Sequence, residues 1–288
     1  MSGQQKNIHY FPGHMKKALS SLDSLAKVAD VLIEVLDARA PKSTENPLLS
    51  ERFRSKPTLI ALSKRDLADE RITKEWVAHF EKEGKAVFAG DLKKEKAMPL
   101  LIEASAPLIK KKREKEKAIG MKPQPIRLLV VGVPNVGKST LINNLAGKTV
   151  ARAENRPGVT RAEQWIKLSS SFILLDTPGI LPMNYPDGAM AVRLALLGSI
   201  KEEVLPIDYL ALALLGYLKE NYPKCLNERY GIEDLSKTGS DEALNTIAVK
   251  RGFLLKAGEP DLSKAASALI KEFHDGYLGR ISLEAPDA

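Results

Sequence analysis

The stretch Gly132–Ser139, "GVPNVGKS", places two glycines, a lysine and a hydroxyl at the spacing G-x-x-x-x-G-K-[ST]. Glycines at those positions let backbone N–H groups turn toward phosphate oxygens at a helix N-terminus, where the dipole also favours negative charge. Lys138 would neutralise the β and γ phosphates of a nucleotide, and the Ser139 hydroxyl would ligate magnesium. Asn135, Val136, Gly137 and Thr140 complete the phosphate cradle. Downstream, "DTPG" at Asp176–Gly179 supplies an aspartate to hold magnesium through water and a glycine amide to sense the γ-phosphate. Between the two motifs, Thr160 in "RPGVTR" is the candidate second hydroxyl on the metal.

Phosphate chemistry alone does not choose a base. The stretch "LSKRDL", Leu62–Leu67, resembles the Asn-Lys-x-Asp loop that reads guanine, with Ser63 in the Asn position and Arg65 at the variable one. Asp66 would accept hydrogen bonds from the guanine ring N–H and exocyclic amino group, a pair of donors that adenine does not present together at that edge. Lys64 would lie along loop and base. The "AGD" that follows a later apolar run brings Ala89 and Gly90 toward the base. Both stretches precede the phosphate loop in the chain, so the guanine-reading part of such a domain is written first. The order implies a circular permutation.

The elements that must position these residues alternate. A helix is expected at Met15–Ala29, followed by a buried strand at Val31–Ala38 and a short helix near Leu48. A strand at Thr58–Leu62, a helix at Thr73–Glu83, a strand at Ala86–Ala89 and a helix at Met98–Lys112 come next. A second block opens with the strand Ile126–Val131 and continues through the helix "TLINNLAG" to strands around Gln164–Leu168 and Phe172–Leu175. That alternation predicts a mostly parallel sheet with helices on both faces. Beyond Gly188 the pattern turns helical, at Gly188–Ile200, Leu205–Glu220, Asp241–Arg251 and Leu262–His274. The expected organisation is an α/β domain, a circularly permuted P-loop GTPase domain over residues 1–182, followed by a small all-helical domain over 183–288. Within the first, a guanine-reading half (1–112) and a phosphate and switch half (126–182) flank a charged linker (113–125).

Composition narrows the class. The 288-residue chain is 44% apolar and 28% charged, the balance of an ordinary soluble protein. "MSGQQKN" has no apolar targeting core, and the longest greasy run, Val204–Tyr217, is interrupted by Pro206 and Asp208 and is too short for a bilayer. A cytoplasmic protein with no membrane partner is expected. The single cysteine, Cys225, excludes an internal disulfide and reads as a passive thiol. Charge is uneven: residues 1–180 carry 32 Lys+Arg against 20 Asp+Glu, and residues 181–288 carry 12 against 16. The basic part suits a polyanion such as nucleic acid, although the alternating signs of "KKKREKEK" at Lys110–Lys117 suit an exposed helix end or linker.

Taken together, "FPGHM" (Phe11–Met15), "VLDARAP" (Val35–Pro41), "GVPNVGKSTLIN", "RPGVTR", "DTPGIL" and "GFLLKAGEPDL" (Gly252–Leu262) resemble, in this order, the YlqF/RbgA family. These are the circularly permuted GTPases of bacterial large-subunit (50S) ribosome assembly. The resemblance implies GTP and Mg2+ as ligands, hydrolysis of GTP to GDP and phosphate, and nucleotide-dependent binding to the large subunit or its precursor through rRNA and ribosomal proteins. It also implies a monomer off the ribosome. Related permuted GTPases use the position of Asn135 to ligate potassium, so K+ joins the expected ligands. Permutation sets His14 at the start of the helix leading into the strand at Val31, and the resemblance implies that this histidine takes part in hydrolysis. Ile180 follows Gly179 where Ras-like enzymes place a glutamine, which predicts a low intrinsic rate raised by the ribosomal subunit. Ser63 departs from the family's Asn, and a shorter side chain without an amide predicts lower guanine affinity. A rival reading is a catalytically weak, nucleotide-dependent RNA-binding scaffold. An ATPase or small-molecule kinase is disfavoured by Asp66 and by the lack of an acceptor-substrate constellation.

Overall fold

Seven consecutive residues, Val31–Asp37, are buried along their whole length, the pattern of a central strand covered on both faces. In the computed structural model, which describes residues 25–147, 165–175, 188–200, 205–232, 238–256 and 258–287, this strand is β1. With β2 (Thr58–Ser63), β3 (Ala86–Ala89), β4 (Ile126–Val131), β5 (Trp165–Lys167) and β6 (Phe172–Leu175) it forms a six-stranded sheet of order β3-β2-β1-β4-β6-β5. All neighbouring pairs are parallel except β5 with β6. The two halves of the permuted domain meet at β1 and β4, where Val31 stands opposite Leu128 and Glu34 opposite Val131. Strand order reverses at that seam, so the crevice beyond the carboxyl ends of β1 and β4 is where an open α/β sheet takes a ligand.

Apolar packing follows the same division. Leu25, Ala26 and Ala29 join Leu32, Leu49, Phe53, Leu129, Val131 and Leu175 in one cluster that spans the seam. Leu36, Ile60, Leu62, Ile72, Trp76 and Phe80 form another over the guanine-reading half. Burial of these side chains contributes roughly 1.5–3 kcal/mol each for the larger ones.

Several element ends depart from expectation for identifiable local reasons. The helix expected from Thr73 begins at Glu70, because Asp69 caps it by accepting from the N–H groups of Arg71 (2.8 Å) and Ile72 (3.2 Å). The helix expected to end at Lys112 runs from Ala97 to Ala118. Two cations of its basic run pair in place, Lys112 with Asp30 (2.7 Å) and Arg113 with Glu116 (2.7 Å), and the linker reduces to 119–125. The short helix near Leu48 is two, Pro41–Thr44 and Pro47–Arg52, separated by the Asn46 cap. Of the helix expected at Met15–Ala29, only 25–29 is described, helical over 25–28.

Two compact units divide the chain, residues 1–185 together with 284–288, and residues 186–283. The last few residues therefore belong to the first unit, an assignment the expected boundary at 182 did not include. Glu284 accepts from Ser43 N–H (2.8 Å) and Ser43 Oγ (2.6 Å), and its carbonyl accepts from Trp76 Nε1 (3.2 Å). The described part of the second unit consists of helices Gly188–Leu196, Ile207–Asn221, Pro223–Tyr230, Ser240–Lys250 and Leu262–Asp275. Pro223–Tyr230 was not anticipated, although Pro223 at its start and Gly231 with φ 62° at its end are ordinary helix boundaries. Buried Glu272 gathers Arg229 Nε (2.6 Å), the Tyr230 hydroxyl (3.0 Å) and Arg251, and thereby ties three helical segments of this unit. Cys225 lies in the same unit, its thiol pushed up to about 11 by burial and by Glu228, which suits a passive group.

Candidate nucleotide site

β4 delivers the chain into the loop at Gly132, whose φ of 147° only glycine adopts readily. A Cβ there would stand 2.5 Å from the Val35 carbonyl of β1. Gly137, with φ 100°, opens the helix Lys138–Ala146, and a Cβ on it would meet Ser63 Oγ at 3.3 Å. Close approach of the first half's backbone requires glycine at 132, the positive φ favours it at 137, and the loop runs into the start of a helix. The Lys138 ammonium is buried against the loop's own backbone, bonded to the carbonyls of Gly132 (3.2 Å) and Val133 (2.8 Å). Ser139 and Thr140 follow in the first helical turn, both half-buried. Among the described residues the Ser139 hydroxyl has no hydrogen-bond partner, and a hydroxyl is a hard oxygen donor of the kind magnesium takes.

β2 ends at Ser63 because Lys64 adopts a left-handed conformation (φ 55°), and Arg65–Leu67 close a single 3-10 turn. Ser63 is buried, and its hydroxyl stands against two backbone carbonyls, Leu36 at 3.0 Å and Val136 of the phosphate loop. The Lys64 ammonium lies 2.7 Å from the Asn135 carbonyl and 2.8 Å from Asp37 Oδ2. Adjacent side chains of the first half therefore hold consecutive carbonyls of a loop in the second. Asn135 is itself left-handed (φ 61°), a conformation that Asn tolerates and that the Lys64 bond retains. Asp66, in the 3-10 turn, is half-buried and makes no hydrogen bond or ion pair with a described residue.

The neighbouring loop is organised the same way. Gly90 donates to the Leu62 carbonyl (3.0 Å) and accepts from Arg65 N–H (3.4 Å), and Ala89 ends β3 beside it. Arg65 is half-exposed and stands 3.8 Å from Glu95. Asn144, on the helix after the phosphate loop, donates to the carbonyls of Leu92 (2.8 Å) and Glu95 (2.6 Å) and accepts from Ala97 N–H (2.8 Å).

Of the residues singled out from the sequence, the structure brings together Ser63, Lys64, Arg65, Ala89 and Gly90, and joins Ser63 and Lys64 to the loop holding Asn135, Val136, Gly137 and Lys138. His14, Thr160, Asp176 and Gly179 lie outside the described residues. Asp37, Arg39 and Asn144 escaped sequence reasoning as site residues. The signal for the first two was present in "VLDAR", a carboxylate and a guanidinium at the end of an otherwise apolar strand.

The loop after β2 in which the sequence suggests a guanine reader is bonded to the P-loop after β4, across a seam that inverts the usual chain order, the arrangement of a circularly permuted P-loop GTPase. A family model described as "50S ribosome-binding GTPase" matches residues 127–217. Ribosome biogenesis GTPase A of Bacillus cereus is 40% identical, over 97% of this chain and 94% of that one. The protein of the same name from Thermotoga maritima is 35% identical, over 97% and 95%. A crystal structure of GNP-bound YlqF from T. maritima superposes with a TM-score of 0.64 at 33% identity, covering 94% of this chain and 99% of that one. The chain belongs to the ribosome biogenesis GTPase A family.

Proposed function

We propose that this GTPase binds GTP across the seam and acts in late assembly of the large ribosomal subunit, engaging the 50S particle or its precursor more tightly with GTP than with GDP. The observation that carries the nucleotide reading is the pair of bonds from Ser63 and Lys64 to the carbonyls of Val136 and Asn135, which sets a base-reading loop against a phosphate loop. In this reading Asp66 meets the guanine N–H groups, and Ala89 and Gly90 line the base. Lys138 and the amides of Gly137–Thr140 hold the phosphates. Ser63 acts through the loop it ties, since its hydroxyl faces backbone carbonyls and its side chain is buried. Magnesium held by Ser139, Thr160 and Asp176 would neutralise charge between the β and γ phosphates, with the Gly179 amide on the γ-phosphate. His14 orients the attacking water or takes its proton, and the Asn135 side chain offers an oxygen to potassium.

The ribosomal partner is supported by the names of the relatives and by the excess of 32 Lys+Arg over 20 Asp+Glu in residues 1–180. No helix of the described residues is long and apolar enough to cross a membrane. A cytoplasmic monomer off the ribosome completes the proposal. Cosedimentation with 50S subunits in each nucleotide state, paired with GTP hydrolysis measured with and without subunits, tests it. Salt-sensitive binding favoured by a GTP analogue and a rate raised by subunits are expected. Equal binding in all states would overturn the assembly role, and His14→Ala with unchanged turnover would remove the histidine from the mechanism.

A further inference from the structure

The carboxylate of Asp37 is fully buried at the end of β1, where no apolar core would place a charge without a use for it. It accepts four donors: Arg39 N–H (3.1 Å) and Arg39 Nε (3.0 Å) on Oδ1, and Arg39 Nη2 (2.8 Å) and Lys64 Nζ (2.8 Å) on Oδ2. That fills the acceptor capacity of a carboxylate. Its own N–H is held by Thr44 Oγ1 at 3.1 Å, and that hydroxyl donates back to the Ala40 carbonyl at 2.8 Å, so the strand end cannot shift without breaking a closed set of bonds. Burial works to raise the Asp37 carboxyl, but the Arg39 guanidinium and the Lys64 ammonium outweigh it and hold it well below the usual carboxylate range. Asp37 is therefore a fixed anion whose position two residues of its own turn determine.

Lys64 is the member of this group that reaches outward. Its ammonium touches the fixed carboxylate on one side and the Asn135 carbonyl of the phosphate loop on the other. A lysine has four rotatable bonds and three equivalent donors, so nothing intrinsic to it selects one place. The Asp37 anion selects it.

We infer that Asp37 is a positioning residue for nucleotide binding: by anchoring Lys64 against the Asn135 carbonyl it holds the base-reading loop and the phosphate loop in register before GTP arrives. The inference rests on the nucleotide site proposed above. Arg39 pins the carboxylate so that it neither rotates away nor follows Lys64. Holding the two loops in their bound arrangement lowers the ordering needed on binding, so its loss appears in affinity and leaves the chemical step alone.

A double-mutant cycle on the full chain tests this, using steady-state GTP hydrolysis and displacement of a fluorescent GDP analogue. Asp37→Asn keeps the shape and removes the charge. KM for GTP and Kd for GDP are expected to rise about tenfold, the effect of one charge-assisted hydrogen bond, with kcat at saturating GTP within about twofold of the parent. Lys64→Met is expected to do the same while keeping the Asp37–Arg39 pair, with a lowered Tm because the buried carboxylate loses one of its two cations. The double variant should bind no worse than the weaker single, because the two residues act as one unit. Unchanged KM in Asp37→Asn, a fall in kcat without a rise in KM, or losses that multiply in the double variant would each overturn the inference. If Asp37→Asn does not fold, Arg39→Lys decides in its place: it keeps the charge, loosens the fork that pins Asp37 and leaves Lys64 itself present, so raised KM with kcat unchanged supports the inference and unchanged KM ends it. Asp66→Asn and Lys138→Ala separate this from the site itself. Full GTP binding in both would mean that the site reading is wrong, whereas loss in both beside a normal Asp37→Asn would remove only the positioning role.

Discussion

Two aspartates at adjacent strand ends show how burial and partners sort residues of one type into different work. Asp37 is saturated with donors and immobile, while Asp66 stands half-buried with no bonded partner among the described residues. A third acid, Glu34 in the middle of β1, is held at neither extreme. It is buried, and burial is the main reason its carboxyl is raised from 4.5 to about 7, with Glu45 pushing the same way. Asn46 N–H, 3.2 Å from Oε1, and the more distant Lys85 work against the rise. A folded-state value above the unfolded one means that the folded protein binds the extra proton. Stability from this group is complete below about pH 4.5 and is lost as pH rises toward and past 7. The loss amounts to about 3 kcal/mol at most. Glu34→Gln keeps an acceptor for Asn46 N–H without the charge, so it should melt higher than the parent at pH 8 and alike at pH 4.5. Identical melting curves for the two proteins at pH 8 would show that Glu34 carries no such burden.

Permutation makes the connection between elements a question of side chains where other GTPases have chain. The helix Lys138–Ala146 and the loop 91–97 lie in opposite halves, and Asn144 joins them with two donated bonds and one accepted. Asn144→Ala would strand the Ala97 N–H and two carbonyls, and a destabilisation of about 1–3 kcal/mol in urea unfolding is expected. Asn144→Asp, which keeps only the acceptor, should fall between. The elements themselves were legible because β3 and β6 are the apolar runs Ala86–Ala89 and Phe172–Leu175, and β4, Ile126–Val131, is apolar but for Arg127, which bonds Asp30. Helix ends were less legible. The helix starts at Glu70 and not Thr73 because the Asp69 cap lies ahead of the apolar period, and the run Lys110–Lys117 suits helix end or linker equally in sequence because one stabilising partner, Asp30, is remote. In the site, the glycines and Lys138 announce themselves by spacing, whereas Asp37 acts through Lys64 at the end of the neighbouring strand and Asn144 through partners in the other half. No local pattern reports such contacts.

At the scale of the whole molecule, the chain leaves the first unit near residue 185 and returns to it at 284. The outgoing crossing follows "DTPGIL", the segment proposed to sense the γ-phosphate, and the returning one is fastened by Glu284 to Ser43 and Trp76. Ser43 stands in the turn Pro41–Thr44, whose Thr44 holds the N–H of Asp37, so the return point connects through four bonded residues to the carbonyl of Asn135. A unit joined by covalent chain to the phosphate sensor at one end and by this bonded path to the phosphate loop at the other has two routes by which nucleotide state can bias it. Amide exchange over 188–283 should therefore differ between GDP and GTP-analogue forms. Glu284→Ala tests the second route: it removes the carboxylate from Ser43 and should speed exchange at 41–46, at a stability loss of about 1–3 kcal/mol, while reducing the nucleotide-dependent difference over 188–283. If that difference persists at full size with Ser43 released, coupling runs through the outgoing crossing alone. If the parent shows no difference between the two nucleotides, the helical unit is a cap that takes no part in the switch.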